Sequence, residues 1–219
     1  MTRSKLHPTN TLSTQVFTAL REDLLNGHYP AGDKIGITQL RDRYQVGLSP
    51  LREALNRLAA TGLLNLESQR GFRVPRLCAE ELEDIVQLRI ELEGMAVTRS
   101  LKLGDADWEA ELLAAGHRLK QASGDGMKLS DWEVLHAQFH SVLLSRCQSP
   151  WMLRFIRQLH EQFDRYRRQA PRQPKVRAAL DQQHDDMVQL ALKRDIAGMR
   201  DLVEAHIRLS NEVASRSCG

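Results

Sequence analysis

The chain of 219 residues is long enough for one large domain or two small ones, each with a hydrophobic core. Its 42% hydrophobic and 27% charged residues exclude a disordered chain, and no apolar run approaches the roughly 20 residues that a membrane-spanning helix needs. The net charge of +3 is unevenly distributed along the chain, because residues 1–77 carry a net charge of +5 and the remaining residues −2. Such a distribution is typical of a DNA-binding module joined to a second domain.

The N-terminal segment and the cysteines indicate the cellular compartment. Residues 1–13 lack the apolar core of a signal peptide. Cys78, Cys147 and Cys218 are far apart and form no CxxC motif, which argues against a disulfide framework and a thiolate zinc site. We therefore expect a cytoplasmic protein with reduced thiols.

Residues 11–77 show apolar positions at helical spacing, followed by two short strand patterns. The pair Asn26-Gly27 is suited to end the first helix. Thr38 is predicted to cap a short second helix, and Ser49 a third helix with Pro50 in its first turn. The predicted elements are helices at residues 11–26, 38–44 and 50–60 and strands at residues 63–66 and 72–74.

The third predicted helix carries polar and basic residues where a DNA-reading helix needs them. A helix-turn-helix places the N-terminal part of one short helix in the major groove. Ser49 and Arg52 lie in the first turn of this helix, and Arg57 lies further along it. Arg70-Gly71 supplies a basic wing tip between the two strands. Each arginine alone is more often a solvated surface residue, so the prediction depends on the ordered set.

This ordered set resembles the winged-helix domain of the GntR family over residues 12–76. The resemblance is carried by Pro50-Leu51-Arg52-Glu53-Ala54-Leu55, Leu58, Gly62-Leu63 and Arg70-Gly71-Phe72. It implies that Arg52 and the wing glycine approach DNA. Leu48 stands where the family often has arginine, and leucine cannot form bidentate hydrogen bonds to guanine, so we expect a different operator. The residues predicted to contact DNA are Thr38, Arg43, Leu48, Ser49, Pro50, Arg52, Arg57, Arg70 and Gly71.

After Pro75 the pattern changes to helices only. We predict helices at residues 79–101, 105–121, 130–147, 150–169, 174–193 and 195–216. Their short connections favour a bundle of six or seven helices. The predicted fold is therefore mainly α, with a winged helix-turn-helix domain of three helices plus a β-hairpin wing at residues 1–77 and an all-α domain at residues 78–219.

Four histidines lie on the apolar faces of three of these helices. His136 and His140 are four residues apart and share a face, while His184 and His206 continue the apolar stripes of two later helices. All four are predicted to point inward together, as the ligands of a metal ion would. A lone histidine on such a face is usually part of the core, so a packed histidine cluster is the alternative.

The all-α half resembles the FadR C-terminal domain, the effector domain of one GntR subfamily. The likeness is carried by Leu88-Arg89 with Glu91 and Glu93, by residues 136–140 (HAQFH) and by residues 182–207. It implies a divalent-metal site at His136, His140, His184 and His206. The family usually has aspartate at the position of His136. The absence of that carboxylate favours zinc or nickel over manganese, or prevents metal binding. Glu133, one turn earlier, is a candidate compensating carboxylate.

Arg89 lies on the apolar stripe of the first helix in this half and is predicted to face the interior. A buried arginine needs an anion, which is either a carboxylate effector or an internal glutamate, unless the side chain reaches outward. Arg165, Tyr166 and Arg167 are further candidates for effector binding, although such residues are more often solvated.

Leu48 and the HAQFH segment together resemble a CsiR-type subgroup of the family. That resemblance implies control of the catabolism of short dicarboxylates and related amino acids, with glutarate or a similar acid as the first candidate effector. We predict a repressor, not an enzyme, that binds a pseudo-palindromic double-stranded DNA operator as a homodimer and releases it when a small carboxylate binds.

Two other functions stay open. A metal-dependent enzyme with a DNA-binding appendage is conceivable because a histidine-rich site activates water, but Glu133 is the one evident general base. In a metal-responsive sensor, the metal itself would change the affinity for the operator.

Overall fold

The computed structural model describes residues 11–67, 71–123, 128–171 and 173–218. The chain divides into two compact units that part after Cys78. Across the described residues, none of the helices combines the length and the hydropathy needed to cross a membrane.

The first unit contains three helices and a small antiparallel sheet, as expected for a winged helix-turn-helix. Its described elements are α1 (Leu12–Leu25), β1 (Lys34–Ile35), α2 (Ile37–Tyr44), α3 (Leu48–Ala60), β2 (Asn65–Glu67) and β3 (Gly71–Arg73). β3 lies between the other two strands, so that Ile35 and Leu66 both pair with Phe72. α1 packs on α3 through a core that includes Leu20 and Leu55.

Two predicted helix caps are wrong. Thr38 and Ser49 lie inside α2 and α3, whereas Gly36 and Gly47 occupy the N-cap positions and contribute no side-chain hydrogen bond. Each of these two helices therefore starts one residue before the polar side chain that the sequence offers as a cap.

The sheet also differs from the prediction. β1 is two residues long, too short to show the alternation that identifies a strand in a sequence. Leu63 and Leu64 are buried ahead of β2, so their apolar character reflects core packing rather than strand pairing. Gly71 begins β3 with φ +88°, a conformation that glycine adopts without strain.

The second unit is all α. Its helices in the described residues are α4 (Ala79–Leu103), α5 (Ala106–Ala122), α6 (Leu129–Leu144), α7 (Pro150–Arg167), α8 (Pro174–Leu192) and α9 (Ile196–Ala214), with short 3-10 turns at Ser145–Cys147 and Ser215–Ser217. Asp105, Ser149 and Asp195 cap α5, α7 and α9 by accepting hydrogen bonds from first-turn N–H groups. The prediction of an all-α bundle is confirmed.

The packing of the bundle determines where polar residues meet. α4 packs against α7 and α9, α5 against α6 and α8, and α8 against α9. Large side chains such as Trp108, Phe139 and Met199 are almost completely buried between them. The inward faces of α6, α8 and α9 consequently meet inside the unit, where their histidines lie.

Candidate functional site

The N-terminal turn of α3 is exposed in the first unit. Leu48, Ser49 and Arg52 are exposed, and Pro50 is half-buried behind them. Because the N-cap residue Gly47 supplies no side-chain acceptor, the first-turn N–H groups have no side-chain cap. Free N–H groups at a helix N-terminus are a favourable site for a phosphate.

The other predicted DNA-contacting residues have different surroundings. Arg57 is half-buried, with its guanidinium 4.1 Å from the centroid of the Phe17 ring and Nη1 donating to Thr14 Oγ1 at 3.3 Å. Arg57 therefore packs α3 against α1. Arg43 pairs with Asp23 through Nη2 at 2.7 Å and remains half exposed.

Thr38 is exposed on α2. Gly71 has open space around the position where a Cβ would stand. Arg70, the predicted tip of the wing, lies outside the described residues. The structure thus presents Leu48, Ser49, Arg52 and Thr38 at the surface of the unit, while Arg43 and Arg57 have partners within it.

The four predicted histidines lie together in the second unit. α6 positions His136 and His140, α8 positions His184 and α9 positions His206. One nitrogen from each of the four rings lies within 4.8 Å of those of the others. Nε2 of His140 is 3.2 Å from Nε2 of His136, and the rings of His184 and His206 have centroids 4.7 Å apart. A single ion placed among these nitrogens would contact histidine side chains from three helices at once.

Hydrogen bonding in the cluster fits metal ligands better than core histidines. Both ring nitrogens of His184 are buried and have no hydrogen-bond partner among the residues that the structure describes. Such an unsatisfied buried group normally costs about 1–3 kcal/mol, unless a ligand occupies it. Nδ1 of His206 lies 3.0 Å from Oε1 of Gln183, a contact that orients the ring and leaves Nε2 available.

The histidines are also in the protonation state that a metal requires. Burial, followed by the nearby Arg177, lowers the pKa of His184 to about 3. Burial and then the neighbouring histidines hold the pKa values of His136, His140 and His206 well below the ordinary value. All four imidazoles are therefore neutral at pH 7 and can donate lone pairs.

An indole ring supports the least buried of the four histidines. Trp132, one helical turn before His136, stacks on it with ring centroids 4.5 Å apart and an angle of 23° between the planes. Nε1 of Trp132 donates to Ser123 Oγ at 3.3 Å. Its position four residues before His136 is the signal that could have identified Trp132 in the sequence.

Arg89 is buried, as predicted, and its anion is internal. Nε of Arg89 donates to Oε1 of Glu93 at 2.8 Å, and Nε2 of His160 lies 2.8 Å from the same oxygen. Burial acts to raise the pKa of Glu93, but Arg89 and His160 outweigh it and hold that pKa at about 2. The guanidinium also lies 4.5 Å from the centroid of the Phe163 ring.

A cavity of about 560 Å³ opens onto the histidine cluster. Its wall includes the four histidines and Arg89, together with three further arginines, Arg167, Arg168 and Arg177. Arg167 donates to both carboxylate oxygens of Glu133 and to Asp164. Glu133 is therefore engaged by arginine and is not part of the histidine cluster.

Arg165 and Tyr166 lie elsewhere. The hydroxyl of Tyr166 donates to Glu81, and Nη2 of Arg165 is 3.8 Å from the same carboxylate. Neither residue lines the cavity within the described part of the chain. Arg177, which the sequence analysis missed, does line it, and its position seven residues before His184 places both on one face of α8.

Two family models match the chain. Residues 12–74 match the model described as bacterial regulatory proteins, gntR family, and residues 84–209 match the FCD domain. The second match alone covers more than half of the chain.

Relatives and solved structures agree with these matches. The chain is 34% identical to the HTH-type transcriptional regulator BphR of Paraburkholderia xenovorans (strain LB400) over 90% of this chain and 82% of that protein. It is 30% identical to the HTH-type transcriptional repressor GlaR of Escherichia coli (strain K12) over 86% and 89% of the two chains. The structure of E. coli McbR/YncC has the same fold, with a TM-score of 0.77 at 22% identity over 96% and 100% of the two chains.

Proposed function

Because this chain belongs to the GntR family of bacterial regulatory proteins and carries an FCD domain, we propose that it is a repressor released from DNA by a small carboxylate. Its relatives are transcription regulators, so the chain is a DNA-binding regulator and not an enzyme. The effector is proposed to bind in the cavity beside His136, His140, His184 and His206, with a divalent ion held by these four residues.

One observation carries this proposal. Neither ring nitrogen of the buried His184 has a hydrogen-bond partner in the described part of the chain, and one nitrogen from each of the four neutral imidazoles lies within 4.8 Å of those of the others. Four imidazole ligands favour zinc or nickel. A bound divalent ion would supply positive charge and open coordination positions for a carboxylate. The protein itself contributes orientation, through Gln183 at His206 and Trp132 at His136.

Release from DNA requires that the effector bind one conformation of the protein more tightly than the other. An acid with equal affinity for the DNA-bound and the DNA-free conformation would not change the affinity for the operator. Typical coupling of this kind changes an affinity about 5–150-fold. We therefore expect the acid to weaken operator binding within that range, and the operator to weaken binding of the acid by the same factor.

An anisotropy titration tests the proposed function. An operator is first selected from random duplex DNA, and its affinity is measured with zinc-loaded protein in the presence and absence of short dicarboxylates. The proposal expects weaker binding with at least one acid and no response of chelator-treated protein. If zinc alone changes the affinity and no acid does, the protein is a metal sensor; if neither does, the cavity is not the regulatory site.

Leu48→Arg is expected to change the sequence preference of DNA binding. Leu48 is exposed at the start of α3, where an arginine could donate two hydrogen bonds to guanine. One good bidentate pair discriminates between bases by about 1–3 kcal/mol. Sites selected by the variant should gain a guanine in each half-site. An unchanged consensus would show that the first residue of α3 does not face the major groove.

We expect a homodimer, because a two-fold protein matches two half-sites one helical turn apart. Exposed apolar side chains on two adjacent helices are suited to form its interface, namely Leu88 and Met95 on α4 and Trp151 and Phe155 on α7. Light scattering should give twice the chain mass. Trp151→Glu should yield monomers, whereas Leu113→Glu, at an exposed leucine of α5, should not. A micromolar monomer that binds a palindrome with full affinity would contradict this expectation.

A further inference from the structure

Arg177 lies in the wall of the cavity with an unusual set of neighbours. Its guanidinium carbon is 3.4 Å from the centroid of the Trp132 ring. Its Nε lies 3.2 and 3.3 Å from the two oxygens of Asp181, and the side chain is 35% exposed. The guanidinium thus lies over an aromatic face, and part of the side chain is exposed in the cavity wall.

The charge of Arg177 is less compensated than that of Arg167. Burial disfavours the charged form of Arg167, yet Asp164 and Glu133 outweigh it and raise the pKa of that guanidinium. For Arg177 burial dominates and lowers the pKa, because Asp181 offsets it only in part. A further anion at Arg177 would therefore be stabilised more than one at Arg167.

Apolar residues of the cavity wall lie between Arg177 and the histidines. The Trp132 ring contacts both the Arg177 guanidinium and the His136 ring, and Leu180 lies between Arg177 and His184 along α8. A ligand that reaches from Arg177 to the histidine cluster therefore needs an apolar middle and two anionic ends. A linear α,ω-dicarboxylate has this pattern.

We propose that Arg177 binds the second carboxylate of the effector and so makes the cavity selective for diacids over monoacids. This inference rests on the proposed function, in which the first carboxylate lies at the histidine cluster. The ligand carboxylate replaces Asp181 at the guanidinium. Oδ1 of Asp181 is 4.0 Å from Nδ1 of His184, so the released carboxylate can accept a hydrogen bond from that ring.

Calorimetry of the zinc-loaded full chain tests the role of Arg177. Succinate, glutarate and adipate are compared with butanoate, pentanoate and hexanoate, each monoacid having the chain length of one diacid. In the wild type, we expect one or more of the diacids to bind at least about tenfold more tightly than the monoacid of the same chain length. A hydrogen bond between charged groups is strong enough to give this difference. In Arg177→Met, the diacid should bind only as tightly as the monoacid. The affinity of the variant for the monoacid should equal that of the wild type.

Two further variants separate this role from a folding defect. Asp181→Asn removes the competing carboxylate at nearly constant shape, so diacid affinity should rise while monoacid affinity does not, a gain that misfolding cannot produce. Arg118→Met, at an exposed arginine of α5 away from the cavity wall, should behave like the wild type. Melting curves establish that each variant is folded.

The outcomes distinguish this inference from the proposed function. If none of the six acids binds the wild type, the proposed function fails and the inference fails with it. If acids bind but diacids have no advantage, or if Arg177→Met retains that advantage, the proposed function stands and the role of Arg177 is wrong. Equal loss of both classes of acid in Arg177→Met also overturns it, since Arg177 would then only maintain the structure of the cavity.

Discussion

Replacing His184 and His206 together by alanine is expected to abolish tight binding of a divalent ion. The change removes the proposed ligands on α8 and α9 and leaves the pair of histidines on α6. Loss of even an outer-shell partner costs about 10–100-fold in metal affinity, so loss of two ligands should cost more than about 100-fold. Elemental analysis after reconstitution with zinc, and competition with a chromogenic chelator, measure the effect.

Thermal stability provides a second measurement of the same change. Zinc at about 100 times its Kd should stabilise the folded wild type by about 2.7 kcal/mol, provided that it does not bind the unfolded chain. The double variant should show no such shift in Tm. His117→Ala, at an exposed histidine of α5, is the matched control and should keep both the ion and the shift. If the double variant is folded and still binds one ion per chain, the metal proposal is wrong.

Arg52→Ala is expected to remove specific operator binding. Arg52 is exposed in the first turn of α3, where a major-groove helix reads bases. A lost bidentate contact costs about 1–3 kcal/mol. A dimer carries two copies, so the expected loss is about 2–6 kcal/mol, or about 30-fold to about 10⁴-fold in affinity. Anisotropy titrations with the selected operator, at one fixed salt concentration, measure it.

Arg99→Ala is the control for charge alone, because Arg99 is an exposed arginine on α4 in the second unit. It should leave the operator affinity close to that of the wild type. Salt dependence then identifies the kind of contact that Arg52 makes. If Arg52→Ala weakens all DNA sequences equally and reduces the salt slope by about two, one for each copy in the dimer, Arg52 contacts a phosphate and does not read a base.

Local patterns in the sequence were sufficient for the helices and for the histidine cluster, but not for β1. Hydrophobic periodicity depends only on near neighbours, so it predicted the six α-helices of the second unit and the three of the first that the structure describes. Because His136, His140, His184 and His206 each lie on an apolar stripe, burial of those stripes was enough to bring them together. The caps at Thr38 and Ser49 were mispredicted, because a polar side chain near a helix start does not define where the helix begins.

Partners that are distant in the sequence could not be predicted in this way. In the sequence alone, Arg57 resembles a DNA-contacting residue. In the structure, α1 packs against α3 and places Phe17 and Thr14 beside Arg57. Likewise, the sequence leaves open whether the anion of Arg89 is a ligand or an internal glutamate. The fold supplies Glu93 and His160 at the same point, so an internal anion is present.

The sequence by itself therefore determined the class of fold, the family and the four candidate metal ligands, since these depend on motifs and spacings that are local in the sequence. Only the tertiary structure decided which arginines reach the cavity. Arg165 and Arg167 are two residues apart on α7, and each residue turns a helix by about 100°, so they point to nearly opposite sides. Packing directed Arg165 toward Glu81 and Arg167 toward the cavity, because that choice depends on which neighbours cover each side of the helix.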